Sequence, residues 1–135
     1  MKDEITAAAD FLTRLVSKNE CLAGDKVDHF NQELQEVLTD KFKNHWFPEK
    51  PSRGQAFRCI RINENIRREP ALEQVCKNIG VEYADLMLPL ELTLWIDPED
   101  VTCRYVSSKH LITVSVSKYV CNLVDSESIK VHTVS

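Results

Sequence analysis

Residues 88–98 run LPLELTLWIDP, and within them Leu92, Leu94 and Ile96 alternate with Thr93 and Trp95. Apolar residues at every second place mark a strand, because successive side chains of a strand point to opposite faces of the sheet. This segment therefore requires a sheet with one face against a core, and it puts Trp95 on the other face. Residues 56–62 read as a strand of the same kind. Ile60 and Ile62 share a face with Arg58, and Phe57 lies opposite with Cys59 and Arg61. A large aromatic held off the core on a rigid strand is a candidate anchor for another protein, provided no helix covers that face.

The core face of such a sheet needs a covering layer, and amphipathic segments supply it. Ile5, Ala8, Ala9, Leu12, Leu15 and Val16 fall on one stripe and predict a helix over 3–18. Asp25 is a candidate cap for a second helix, whose stripe is Val27, Phe30, Leu34, Val37 and Leu38 and which ends near Phe42. The short connection predicts an antiparallel pair. Pro48, Pro51 and Gly54 punctuate an irregular linker. Pro70 and Gly80 bracket a third helix with Leu72, Val75, Cys76 and Ile79 on its buried side. Tyr83 to Met87 reads as a short helical turn. Val101–Val106 and Leu111–Val116 read as further strands, the first joined to 92–96 in an antiparallel hairpin through a four-residue loop, Asp97-Pro98-Glu99-Asp100. The predicted class is α+β, with helices packed around a small, mainly antiparallel sheet. The domain spans 1–117, and 118–135 is a tail that extends the last strand or lies disordered.

The 135 residues suit one domain. At 43% hydrophobic and 28% charged, the composition is that of a soluble globular protein. A net charge of −4 argues against a nucleic-acid binder that works by neutralising phosphates. No apolar run approaches the roughly 18 residues of a membrane span, and Met1-Lys2-Asp3-Glu4-Ile5 lacks the start of a secretory signal. The expectation is an intracellular protein with no membrane partner. Five scattered cysteines without a Cys-x-x-Cys pair read as reduced thiols, with neither metal nor cofactor implied.

Catalytic patterns are missing as well. His29, His45, His110 and His132 sit in no nucleophile motif, and neither a P-loop nor a His-Glu-x-x-His run occurs. His45 and Cys59 raise a Cys–His pair, but no third orienting group is indicated. The bland alternative has His45 hydrogen-bonded within the linker. Trp46 is expected to pack beneath that linker. Arg58 and Arg61 are expected as exposed cross-strand ion pairs or as the rim of an interface, worth about 0–1 kcal/mol each. Asp97 either caps the hairpin turn or touches a partner.

Two stretches carry a resemblance. Phe42-Lys43-Asn44-His45-Trp46-Phe47-Pro48-Glu49-Lys50-Pro51 with Arg58 to Asn63, and Leu88 to Pro98, are similar to the two signature boxes of the BTG/Tob antiproliferative (APRO) family. The resemblance implies the family's α+β fold and a non-enzymatic adaptor without cofactor. The partner it implies is the exonuclease subunit of the CCR-NOT-type deadenylase, with faster mRNA decay and restrained proliferation as the outcome, in cytoplasm and nucleus. It implies that Phe57, Trp95 and Glu69 lie on the partner-binding surface, with Asp97 as a further candidate. The rival expectation is a transcriptional co-regulator that docks DNA-binding factors through its helical face. The chain also departs from the family. Phe57 stands where Tyr is common and Glu69 where Asp is usual. The glycine expected after the second box is replaced in the run Val106-Ser107-Ser108-Lys109, so the following hairpin must differ or be strained.

Overall fold

The alternation around Trp95 is realised as a strand, Leu92–Asp97, whose even-numbered apolar residues Leu92, Leu94 and Ile96 are buried while Thr93 and Trp95 are half-buried. The computed structural model describes residues 1–18, 22, 24–116 and 131–134. Helix α1 covers Lys2–Ser17, α2 Gly24–Phe42 and α3 Pro70–Ile79. The strands are β1 Cys59–Ile62, β2 Leu92–Asp97, β3 Asp100–Ser107, β4 His110–Ser115 and β5 Val131–Val134. They form one sheet in the order β1-β2-β3-β4-β5, every pair antiparallel. The expected α+β class is the one observed, and the third helix has its predicted bounds.

The helices cover one face of the sheet. Ile5, Ala8, Leu12 and Val16 of α1 and Phe30, Leu34 and Leu38 of α2 are buried with Ile60, Leu94, Ile96, Val101 and Cys103 of the strands. Phe11, outside the predicted stripe, is also buried and tilts its ring against Tyr105 at 6.3 Å between centroids. The apolar arc of α1 is wide because the helix meets α2 on one side and the sheet on another. Polar bonds fix the pair: Asn31 Nδ2 donates to Asp10 Oδ1 at 2.8 Å and Thr6 Oγ1 to Gln35 Oε1 at 3.3 Å. Pro70 sits in the first turn of α3, and Gly80 ends it in the left-handed conformation at φ 73°, a position open to glycine at no steric cost.

Three local expectations need correction. Helix α2 begins at Gly24, so Asp25 lies in its first turn and favours the dipole from there instead of capping it. The Asp97–Asp100 loop is two residues, because Asp97 and Asp100 are themselves paired. Pro98 sets the first turn position, and Glu99 takes φ 64° at the second. The Glu99 N–H donates to Glu4 Oε2 at 2.8 Å and ties the hairpin tip to α1. The stretch 56–58 is no strand; Gln55–Arg58 forms a 3-10 turn after Gly54, whose φ is 77°, and β1 starts only at Cys59. Of the stretch read as a tail, 131–134 pairs with β4 at the sheet edge. The question of disorder over the rest of that tail, 118–130 and 135, lies outside the described residues.

The missing turn glycine has the expected consequence. Ser107 and His110 pair, leaving Ser108 and Lys109 as a two-residue loop with φ of 51° and 69°. Positive φ at both positions suits Asn-Gly and costs an ordinary L-residue about 1–2 kcal/mol. Replacing Ser108-Lys109 by Asn-Gly should therefore raise stability by about 1 kcal/mol in a denaturant titration. A loss of stability would show that the left-handed loop is unstrained.

Candidate partner-docking site

The site is built around a charge that the core has swallowed. Arg58 ends the 3-10 turn and is 0% exposed. A guanidinium has five N–H donors in a fixed fork, and here all five are matched. Nε donates to Ile96 O at 2.9 Å. Nη1 donates to His45 O at 2.7 Å and to Arg53 O at 2.6 Å. Nη2 donates to Pro51 O and to Asp97 Oδ1, the latter at 2.9 Å. The second Asp97 oxygen accepts from Gln55 Nε2 at 2.9 Å. The guanidinium also lies 5.4 Å from the centre of the Trp46 ring, which in turn stacks on Phe42 at 6.5 Å.

This knot does the work that regular structure does elsewhere. Residues 47–55 make three turn bonds along their own backbone, Lys50 to Phe47, Arg53 to Lys50 and Gln55 to Ser52, but a buried carbonyl left without a donor is costly. Arg58 satisfies three carbonyls of the linker region and fastens them to the end of β2. Gly54 is required beside it: a Cβ at that position would lie 3.0 Å from His45 O and 3.1 Å from Arg58 Nη1. The expected exposed arginine pair is thus corrected for Arg58, which pairs with Asp97 in the interior. Its sequence signal was present, since the period-two pattern put Arg58 on the same face as Ile60 and Ile62. Arg61 is exposed, as expected.

Phe57 precedes Arg58 and is 55% exposed. It reaches the surface from the 3-10 turn and not from a strand. Its ring stacks on His45 at 4.2 Å between centroids, with 17° between planes. His45 is therefore turned to Phe57. Burial pushes the Cys59 thiol up, outweighing the opposing pull of Arg61 and Lys41. Both observations work against a Cys–His nucleophile. Trp46 packs under the linker, as expected.

Trp95 lies on the sheet face opposite the helices. Cys59 and Thr102 are its register partners across β1 and β3. The next row on this face runs Arg61, Thr93, Arg104, Thr113. Arg61, Glu91, Thr93, Trp95 and Arg104 line a shallow depression of about 380 Å³. A second depression of about 310 Å³ adjoins it, lined by Ala56, Cys59, Arg61, Ile66, Glu69 and Pro70. Trp95 and Glu69 thus line adjoining depressions that share Arg61, and Phe57 follows Ala56 in the chain at the edge of the second.

Glu69 is only 3% exposed and serves first as the cap of α3. One carboxylate oxygen accepts from the Leu72 N–H at 3.0 Å, and the other lies 3.8 Å from Lys41 Nζ. Its backbone N–H donates to the Tyr83 hydroxyl at 3.0 Å. Asp97 is buried in the Arg58 knot and presents no free oxygen to this face. Among the described residues, no group of His, Cys, Asp and Glu could hold a metal ion, and no helix is long and apolar enough to cross a membrane.

Known proteins are similar to this chain over most of its length. The BTG family model matches residues 1–116. The chain belongs to the BTG family. Mouse protein BTG3 is 48% identical over 115 residues, which is 85% of this chain and 46% of the relative. Human protein BTG4 is 42% identical over 118 residues, 87% of this chain and 53% of the relative. The chain thus spans about half the length of these curated relatives. The BTG/Tob domain of C. elegans FOG-3 superimposes with a TM-score of 0.67 at 21% identity, covering 78% of this chain and 82% of that one, which is a likeness of fold. The family is one of generally antiproliferative, non-enzymatic regulators.

Three expected outcomes test this BTG-family site. Arg58→Lys, with three donors for five acceptors, should destabilise the domain by about 3 kcal/mol or more, and Gly54→Ala by about 1–2 kcal/mol. Near-wild-type melting of Arg58→Lys would mean that the knot is dispensable. Iodoacetamide at neutral pH should alkylate Cys59 more slowly than a free cysteine. Fast labelling lost in His45→Ala would restore the Cys–His pair.

Proposed function

We propose that this BTG-family domain is an adaptor for the exonuclease subunit of a CCR-NOT-type deadenylase, with Trp95 and Phe57 as its anchors. The observation that carries the reading is the pairing of Trp95 with Cys59 on a sheet face that no described helix covers, two residues from an exposed Phe57. Interface energy concentrates in a few aromatic anchors on rigid elements. Both anchors here are held: Trp95 by the β-ladder on either side, Phe57 by His45 behind it and Arg58 beside it. Glu69 borders the same region, and Asp97 contributes from within by fixing Arg58.

In this reading the domain performs no chemistry. It brings the nuclease to a message, and the effective concentration on the poly(A) tail rises without any new catalytic group. Faster decay of growth-promoting messages, in cytoplasm and nucleus, then restrains proliferation. A second reading has one observation in its favour. Between α1 and α2, Lys2, Ile5, Gln35, Glu36 and Thr39 line a furrow of about 690 Å³ on the helical side. A transcriptional co-regulator would dock DNA-binding factors there and leave Trp95 free.

Calorimetric titration with the nuclease subunit separates the two. Binding by the wild type should weaken by about 2 kcal/mol or more in folded Trp95→Ala, and by a comparable step in Phe57→Ala. Unchanged affinity in both variants would remove the aromatic face from the interaction. No binding by the folded wild type would remove the deadenylase from the account.

A further inference from the structure

Charge is unevenly distributed between the two faces of this domain. Helices α1 and α2 carry eight carboxylates and four lysine or arginine side chains. On the opposite face, Arg61 and Arg104 stand on either side of Thr93, in the row next to Trp95. Neither arginine makes an ion pair with any described carboxylate. The carboxylates that line the two depressions or end β2 and begin β3 leave them so. Glu69 is committed to the Leu72 N–H and Lys41. Asp97 is committed to Arg58 and Gln55. Asp100, at the hairpin end, receives the Thr102 hydroxyl at 3.4 Å. Glu91 lines the far end of the depression without an ion pair to either arginine. The Arg61 side chain reaches Cys59, which is no counter-ion in its thiol form.

We infer that the surface received by this face is a protein surface bearing acidic side chains around an apolar pocket, the pocket taking Trp95 and the acids meeting Arg61 and Arg104. The inference rests on the docking reading above and adds the partner's chemistry to it. Charge complementarity favours a protein over a nucleic acid. A phosphate backbone needs a track of several cations. This face offers two, in a chain of net charge −4. Two arginines beside one aromatic suit an anchor with charged steering at its margin. The acidic helical layer would in turn repel an acidic partner, so the charge pattern selects the orientation of approach as well as the partner.

The test compares charge reversals of equal size on the two sides. Arg61→Glu with Arg104→Glu should lower affinity for the nuclease subunit at least about tenfold, mainly through the association rate, and should flatten its dependence on salt. Lys18→Glu with Lys77→Glu, the first just beyond α1 and the second on α3, both exposed, should leave affinity within about twofold. Arg61→Gln with Arg104→Gln, a milder change, should give an intermediate loss and guards against misfolding of the reversal. If Trp95→Ala abolishes binding while both arginine pairs bind as wild type, the docking reading stands and the acidic partner is overturned. If the wild type fails to bind, both are overturned. Tight binding of a single-stranded oligoadenylate that disappears in the arginine reversal would also overturn the inference, because the arginines would then serve phosphate.

Discussion

One buried guanidinium holds the linker, the 3-10 turn and the end of β2 together. Arg58 spends every donor it has on the linker carbonyls, the end of β2 and the Asp97 carboxylate. A buried ion pair is a poor source of stability when a hydrophobic replacement is the alternative. Its value here is geometrical. The linker carries Pro48, Pro51 and Gly54 and forms neither a regular helix nor a ladder, so its successive backbone turns are fastened to the rest of the fold by side-chain bonds. With Arg58 in place, the turn that carries Phe57 has a single course, and the sheet edge that carries Cys59 begins where that turn ends.

The consequence is a division of labour between the faces of the sheet. One face is closed by α1 and α2 and supplies the cohesion of the fold. The other leaves Trp95, Arg61 and Arg104 accessible on a rigid ladder, with Phe57 at its edge. On the proposed docking reading, such an arrangement limits the ordering cost of association, since both aromatics are already placed. It also explains why chemistry is hard to find in the molecule. The half-exposed thiol on this face is pushed up by burial, and the nearby histidine ring is stacked on an aromatic. What the BTG-family domain offers is a shaped and charged surface.

Much of this was legible in the residues. Period two in β2 and the Pro70–Gly80 brackets of α3 were sufficient for those elements, because burial on one side leaves a regular pattern. The resemblance of the two boxes pointed to Phe57, Trp95 and Glu69, which the fold gathers around one region. The start of β1 was misread because alternation continues across Ala56 to Ile62, although Gly54 at positive φ launches a 3-10 turn that periodicity does not see. The depth of Arg58 was missed for a different reason. An arginine on a core face ordinarily reaches solvent, and five acceptors converging from the preceding linker and from the distant end of β2 are a property of the tertiary fold. The same holds for Glu69, whose capping bond and Lys41 neighbour bury a carboxylate that looks exposed in sequence. The two-residue loop at Ser108-Lys109 was half legible: the missing glycine announced strain, and only the register gave the loop its length.

The central claim is that binding occurs on the open sheet face and its Phe57 edge. Amide chemical-shift mapping of the labelled domain, titrated with the deadenylase nuclease subunit, tests it most directly. The account predicts that perturbations gather on Phe57, Cys59, Arg61, Thr93, Trp95 and Arg104, leaving the exposed residues of α1 and α2 unmoved. Perturbations confined to α1 and α2, with Trp95 and Phe57 unchanged, would contradict it.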